Sequence, residues 1–445
     1  MSSSLSKFVR KVRNITGLES STNLDEKRLP GPEYVPDMDE GTQSYRVGGL
    51  CPIDVGSQIL EKYLVLYKLR FQRPRHESTS WLARDVDSSE IVQLDVFKAD
   101  ASKNMADGQP AKLFRDFLMS SKGSQAGPFQ NVLDEAWIKS PNGDHLCRVL
   151  EVGFVDSHTW NNMMSGKEGY TADEVREQAL TLALGTLQLH EHGLVHGRIC
   201  SDNLVFTSAQ VRTSSEQDLV KLLGEPFKVS TMEITKSARA SEHDGMLPQH
   251  MVAELDPVEL MDLDHVTRIR AFPPTVSKPG ETLPSQTRQA SPEARFEKKR
   301  SYYSSDDVWA VGCVILELVT GIVPFPDYYS SPNNAIARME DILGGIPQHL
   351  QQRWRISHKS FHRDPSLPRL RKPLREEVRE RLYAKDPAES EKGPTKPPDF
   401  PFFSEEEYEL LVDLLEQIFR YDPEERPTMR DVLKHPWFVR KDQLG

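Results

Sequence analysis

The stretch Ser305-Asp-Asp-Val-Trp-Ala-Val-Gly-Cys-Val-Ile-Leu-Glu-Leu-Val-Thr-Gly321 restricts the fold more than any other part of this chain. The apolar run from Trp309 to Phe325 is the longest in the sequence, but Gly312, Glu317, Gly321 and Pro324 interrupt it, so it is a core helix and not a membrane span. A helix that is apolar nearly all round has to be buried nearly all round. The pattern predicts that helix over Asp306 to Val319, with Gly321 and Pro324 stopping it and other helices covering it.

Those covering helices are signalled nearby. Thr171-Ala-Asp-Glu174 has the spacing of a capping box, in which the hydroxyl and the carboxylate satisfy amides at a helix start. Val175, Ala179, Leu182, Ala183 and Leu187 then form an apolar stripe, and Gly193 closes the helix as a left-handed cap. Ser404-Glu-Glu-Glu407 opens a further helix that ends before Pro423. Earlier in the chain the period changes. Tyr63 to Leu66, Ser80 to Ala83, Ile91 to Phe97 and Cys147 to Leu150 look like strands, with one helix-like segment near Lys112 to Met119, which predicts a small antiparallel lobe. Three segments, about 208–265, 274–303 and 366–400, lack periodicity and are expected to be long loops or insertions.

Acidic residues outnumber basic ones by 67 to 56, a net charge of -11, which argues against a chain built to lie on nucleic acid. Four cysteines, Cys51, Cys147, Cys200 and Cys313, show no C-x-x-C spacing, so neither a zinc site nor a disulfide framework is expected. Residues 1–17 place Leu5, Phe8, Val9, Val12 and Ile15 on one helical face, with Lys7, Arg10, Lys11 and Arg13 around it. That pattern has two readings, a transit or membrane-surface helix and a tail with chance periodicity.

Four stretches together carry a family resemblance. His196-Gly-Arg-Ile-Cys-Ser-Asp-Asn203 has the spacing of H-R-D-x-x-x-x-N. Tyr63-Leu-Val-Leu-Tyr-Lys-Leu69 through Ser80-Trp-Leu-Ala-Arg-Asp85, the Asp-led helix at Ser305, and Tyr421-Asp-Pro-Glu-Glu-Arg-Pro-Thr428 with His435-Pro-Trp-Phe438 follow in the order found in eukaryotic protein kinases. The chain resembles that superfamily. Within it, Tyr34-Val-Pro, Pro141-Asn-Gly-Asp-His-Leu-Cys147, Leu223-Gly-Glu-Pro226 and Ala337-Arg-Met-Glu-Asp-Ile-Leu-Gly344 resemble the fungal relatives of the serine/arginine-rich protein kinases, SRPK-like members. The resemblance implies a two-lobed α+β fold, with a small antiparallel-sheet N-lobe and a mainly helical C-lobe. It also implies a tail and linker over 1–45, an N-lobe over 46–155, and a C-lobe over 156–440 with insertions near 208–265 and 366–400.

The family's chemistry does not carry over residue by residue. The glycine-rich loop corresponds to Leu69-Arg-Phe-Gln-Arg-Pro74, which has no glycine to let backbone amides approach phosphates. The V-A-I-K lysine falls on Asp95. A like charge beside phosphate, at ~4 Å and an effective dielectric of ~20, contributes ~4 kcal/mol of the wrong sign. Lys98 is out of phase with Asp95 along the strand and is a poor substitute. The helix glutamate falls near Gln109-Pro110, and D-F-G falls on Ala271-Phe272-Pro273, with Asp262 and Asp264 nearby in sequence. Arg198 stands in for the base and remains protonated at physiological pH. A positioned base is typically worth roughly 10² to 10⁴-fold. Asp202 faces the wrong way to replace it, and Cys200 has no dyad partner to activate it.

Positions that matter to architecture are kept. Glu293 in Ser291-Pro-Glu293 corresponds to the A-P-E glutamate that pairs with an arginine, here Arg426, and Asp307 to the aspartate that anchors the catalytic loop. His196 and Asn203 are expected to be scaffold residues, with Asn203 a candidate metal ligand and Asn203 and Leu150 candidate nucleotide contacts. The resulting expectation is a pseudokinase, a kinase-shaped binding or allosteric module with no catalytic residue set intact at Asp95, His196, Arg198, Asn203 and Ala271. Two alternatives stand beside it: an active serine/threonine kinase with relocated residues, and a scaffold docked to a membrane or organelle through its basic N-terminus. No cofactor is expected, ATP and Mg entering only through residual binding. The expected partner is a protein, an active kinase or an SR-type protein, with no nucleic acid and no transmembrane segment. Expected location is the cytoplasm or nucleus, with mitochondrial or membrane-surface targeting tied to residues 1–17.

Overall fold

Alternating side chains on four successive strand-like stretches can bury one face only if the strands pair side by side, and in the computed structural model they do. The structure describes residues 41–71, 77–120, 127–159, 171–232, 245–252, 265–271, 275–282, 289–296, 301–321, 323–325, 332–353, 373–383 and 403–439. The basic segment 1–17, Tyr34, Gln72 to Pro74, Asp262, Asp264, Phe272 and Pro273 lie outside the described residues. By contact, the chain divides into two compact units, one of residues 1–108, 130–155 and 206–266 and one of residues 109–129, 156–205 and 267–445.

The strands are β1 (Gln58–Ile59), β2 (Tyr63–Phe71), β3 (Ser78–Asp85), β4 (Ile91–Phe97), β5 (Val132–Ser140), β6 (Gly143–Leu150), β7 (Gly153–Asp156), β8 (Leu204–Thr207), β9 (Lys228–Ser230), β10 (His250–Val252) and β11 (Val266–Ile269). The helices are α1 (Ala99–Asp107), α2 (Gln109–Ser120), α3 (Ala172–Glu191), α4 (Ala209–Thr213), α5 (Glu216–Leu223), α6 (Pro292–Phe296), α7 (Ser304–Thr320), α8 (Pro332–Leu343), α9 (Gln348–Arg353), α10 (Leu374–Tyr383), α11 (Glu405–Ile418) and α12 (Met429–Leu433).

In the first unit, β1 to β6 form a six-stranded sheet in the order β1-β2-β3-β4-β6-β5, every pair antiparallel. One face is apolar. Val65, Trp81, Val92, Leu94, Val96 and Val149 pack there with Cys51, Ile53 and Val252. The period of two therefore sends Ser80, Gln93 and Asp95 to the opposite face.

Part of the segment expected to be a loop over 208–265 is structured. Ser208 and Ser215 cap α4 and α5, accepting hydrogen bonds from the amides of Gln210 and Asp218. Tyr67 Oη donates to the Gly224 carbonyl at 2.5 Å. β9 pairs antiparallel with β10, and Asp54 accepts hydrogen bonds from the amides of Gln249 (3.1 Å) and His250 (2.9 Å). Elements this short contain too few residues to display a period, which is why the sequence pattern passed over them.

In the second unit, α7 is buried from Asp306 to Leu318. Trp309 stacks on Phe325 (5.4 Å between ring centroids) and meets Phe419 edge-on (5.0 Å). Gly312 permits that approach, because a Cβ there would lie 2.5 Å from Ile418 Cγ2. The capping box of α3 forms as expected, with Glu174 N to Thr171 Oγ1 at 3.1 Å and Thr171 N to Glu174 Oε2 at 2.7 Å. Gly193 takes the left-handed conformation at φ +68. Leu187 is only partly buried and Leu189 fills the core instead. Residues 374–383, expected within a loop, form α10. Its charge hid it: Arg375 pairs with Glu409 (2.6 Å) and Glu416 (2.9 Å), while Leu374 and Val378 are buried.

A buried charge pair of this unit joins α6 to the segment before α12. Arg426 donates from Nη1 and Nη2 to the two oxygens of Glu293 at 2.5 and 2.7 Å, and its remaining donors reach the carbonyls of Ser305, Arg420 and Tyr421. A buried bidentate pair with every donor used is strong only while both partners are present. Arg426→Met should therefore strand the Glu293 carboxylate and cost roughly 3 to 5 kcal/mol, read as a lower denaturant midpoint. The double variant with Glu293→Gln should recover part of that loss, and an unchanged midpoint in the single variant would refute the assignment.

Candidate functional site

Of the candidate site residues singled out by sequence, Asp95 and Leu150 lie in the first unit and the others in the second. In the first unit, the ladder places Asp95 opposite Ser80 on β3 and Arg148 on β6. Asp95 is 4% exposed, and its Oδ1 accepts from Ser80 Oγ at 2.5 Å and from Gln93 Nε2 at 2.6 Å. Lys98 follows the last residue of β4 and caps α1. β2 also buries a lysine that sequence reading passed over, Lys68, but its register partner is Trp81, on the apolar face, and not Ser80.

Gln93 was missed as well. It shares its face with Asp95, is 0% exposed, and stands opposite Leu150, the last residue of β6. Its Oε1 accepts from Gly153 N at 3.0 Å and from Gln130 Nε2 at 3.3 Å. Gln130, 1% exposed, also donates to the Glu151 carbonyl at 2.6 Å. Two buried amides and one buried carboxylate thus form a continuous polar network where β4 meets the end of β6. A neutral Gln at an interior strand position is the sequence signal that should have drawn attention, because a buried amide needs partners.

In the second unit, α3 leads into the loop His196 to Asn203. Asp307, at the start of α7, accepts hydrogen bonds from the amides of His196 (2.8 Å) and Gly197 (3.0 Å), and lies 3.0 Å from His190 Nε2 and 3.3 Å from Tyr302 Oη. Burial alone would raise its carboxyl, but His190 and the loop amides outweigh burial and hold it below the usual carboxylate range. Gly197 adopts φ +73, a conformation that suits glycine at this bend. Further along the same helix, the buried Glu317 accepts from Ser201 Oγ (2.7 Å) and Gln289 Nε2 (3.2 Å), and pairs with His158 Nδ1 (2.9 Å). That hydrogen bond raises the His158 imidazole. Sequence reading took Glu317 only as an interruption of an apolar run.

Asn203 Nδ2 donates to the Arg198 carbonyl at 2.8 Å, and the Asn203 carbonyl accepts from Arg270 N at 2.8 Å. Arg270 also donates through Nη2 to the Asp202 carbonyl at 3.0 Å. Arg198 is partly buried, and Ala271 is buried with only a methyl group to present. Burial pushes the Cys200 thiol well up, which keeps it protonated and unreactive. Among the described residues no group of three or more His, Cys, Asp or Glu could hold a metal ion, and no helix is long and apolar enough to cross a membrane.

His196 supplies a pH test. Burial pushes its imidazole down from 6.5 to about 4, and Nδ1 accepts from the Arg198 amide at 3.2 Å. The unfolded chain binds this proton near 6.5 and the folded chain does not until about 4. The stability that goes with the neutral ring is thus complete above 6.5 and is lost as pH falls from there toward 4, by up to about 1.4 kcal/mol per pH unit. His196→Gln should flatten that limb of the unfolding curve, and an unaltered slope would count against it.

With the geometry in place, comparison with known proteins is direct. The protein kinase domain family model matches residues 253–438. A serine/threonine-protein kinase SRPK of Physarum polycephalum is 23% identical over 419 residues, covering 90% of this chain and 91% of the relative. The dual specificity protein kinase CLK1 of Mus musculus is 34% identical over 294 residues, 66% of this chain and 50% of the relative, and CLK1 of Homo sapiens is 24% identical over the same span. The chain spans about half the length of these CLK relatives. A crystal structure of a kinase domain shares the fold with a TM-score of 0.56 and 14% identity, over 87% of this chain and 98% of the other. The antiparallel-sheet and helical parts are those of the α+β protein-kinase fold, and the chain is similar in sequence to eukaryotic protein kinases, SRPK and CLK kinases among them.

Proposed function

We propose that this chain is a non-catalytic member of its superfamily, a kinase-shaped module that binds a protein partner and does not transfer phosphate. The observation that carries the reading is Asp95. Where the family's motif has the phosphate-gripping lysine, β4 presents a buried carboxylate fixed by Ser80 and Gln93. An ammonium there attracts a polyphosphate; a carboxylate accepts hydrogen bonds and has no charge to offer an anion.

The donor set on the other unit supports the same reading. A magnesium nucleotide needs carboxylate and phosphate oxygens around the metal. Asn203 donates through Nδ2 to the Arg198 carbonyl, which leaves its Oδ1 as the one metal ligand of this set, Ala271 has no ligand atom, and Arg198 is a permanent cation that cannot take a proton from an alcohol. These residues do not fit Mg-ATP. Asp307, Glu317, Glu293 and Arg426 meanwhile keep the surrounding backbone fastened. A partner of the kind suggested by the resemblance, an active kinase or a serine/arginine-rich protein, would meet a surface already folded without nucleotide.

Two measurements test this. A ligand that binds the folded chain raises its stability by RT ln(1 + [L]/Kd), about 2.7 kcal/mol at ~100 Kd. Mg-ATP at millimolar concentration should leave the melting temperature unchanged, and labelled ATP should transfer no phosphate to the chain or to Arg-Ser peptides. Transfer that disappears in Asn203→Ala would establish an active kinase with relocated residues instead.

A further inference from the structure

Resting on the reading above, we infer that Gln93 is the specificity-determining residue that keeps a purine base out of this chain, by occupying one of the backbone groups the base would use and holding Gln130 against the other. Reading V-A-I-K onto Val92-Gln-Leu-Asp95 puts Gln93 where the motif has alanine. A methyl group there leaves space; a glutamine side chain fills it. Gln93 lies two residues before Asp95 on the same face, roughly 7 Å along the strand. That is the scale of the separation between a nucleotide's phosphates and its base, so phosphates at Asp95 would set the base beside Gln93.

The backbone beside Gln93 is suited to such a base. The β4 to β6 ladder runs only as far as the pair Gln93 and Leu150, and the next residues leave the sheet. Two residues apart there, the Glu151 carbonyl and the Gly153 amide offer an acceptor and a donor, the pair that the edge of an adenine ring needs. Both are already engaged. Gln93 Oε1 takes the Gly153 amide at 3.0 Å, and Gln130 Nε2, itself 3.3 Å from Gln93 Oε1, takes the Glu151 carbonyl at 2.6 Å. Gln93 is tied from its other end too, since its Nε2 donates to Asp95. With exposures of 0% and 1%, neither amide could swing aside for a base without losing buried hydrogen bonds. The site's polar groups are satisfied by the chain itself, and a base has to compete with a tethered amide for each one.

Adenosine tests this without involving phosphate or metal. Titrated into the unmodified full chain and followed at the Gly153 amide by NMR, adenosine to millimolar concentration should give no saturable shift. Gln93→Ala should acquire saturable binding about tenfold or more tighter than the unmodified protein's limit, with the Gly153 amide shifting on binding. Should Gln93→Ala fail to fold, Gln93→Ser removes most of the same side chain and keeps a polar group for Asp95, and the same gain is expected. A folded variant that gains no binding overturns the inference. Saturable adenosine binding to the unmodified chain with no phosphate transfer overturns it too, and leaves the non-catalytic reading standing. Phosphate transfer by the unmodified chain overturns both.

Discussion

The Asp307 carboxylate holds the architecture of the second unit at its most sensitive point. It is buried, sits in the first turn of α7 where the helix dipole favours an anion, and binds the amides of His196 and Gly197 directly. Ten residues along the same helix, about 15 Å away by helical rise, Glu317 takes the hydroxyl of Ser201. One helix therefore grips both ends of the same loop through two buried carboxylates. Hydrogen bonds to charged groups contribute about 1.5 to 3 kcal/mol each, so these bonds outweigh any single exposed contact the loop could make. The helix can perform this task because Trp309, Phe325 and Phe419 fix it in the core.

It follows that the loop's path does not depend on what stands at position 198. The clamps use the backbone of His196 and Gly197 and the side chain of Ser201, while Asn203 reaches only the carbonyl of Arg198. A change from aspartate to arginine there alters the chemistry and leaves the anchors untouched. β4 separates the two in another way. Val92, Leu94 and Val96 belong to the apolar core, and Gln93 and Asp95 lie on the other face. Because a strand presents its faces alternately, one set can be replaced while the other continues to hold the sheet.

The same physics explains what could be read from the sequence. Long elements with a clear period, α3, α7, α11 and the strands β2 to β4 and β6, were legible because each repeats its pattern several times. β9, β10, α4 and α5 are too short for that, and α10 is so charged that its two buried residues, Leu374 and Val378, do not stand out. The family motif pointed to Asp95, Arg198 and Ala271 because it fixes positions. It was silent on Gln93 and Gln130, whose importance lies in which backbone groups they meet across strands that are distant in sequence, and no local pattern carries that. Glu317 was hidden for a related reason: in a run of apolar residues a single carboxylate looks like a flaw until partners such as His158, Ser201 and Gln289, from three other segments, are seen.

A fold that gives up a ligand inherits an unsatisfied remainder. Backbone groups shaped to receive that ligand stay where the secondary structure puts them, and if buried without partners each costs on the order of 1 to 3 kcal/mol. In the inference drawn above, the Gly153 amide and the Glu151 carbonyl are such groups, placed between the end of β6 and the start of β7 whatever the side chains nearby. An alanine at position 93 would leave the Gly153 amide to water or to a ligand; the glutamine satisfies it from within, supports the Gln130 amide that holds the Glu151 carbonyl, and ties both to Asp95 in the same network. A carboxylate at position 95 and a glutamine at position 93 are then physically linked. The buried carboxylate requires donors, and its own face supplies them from Ser80 directly across the ladder and from Gln93 two residues back along the strand.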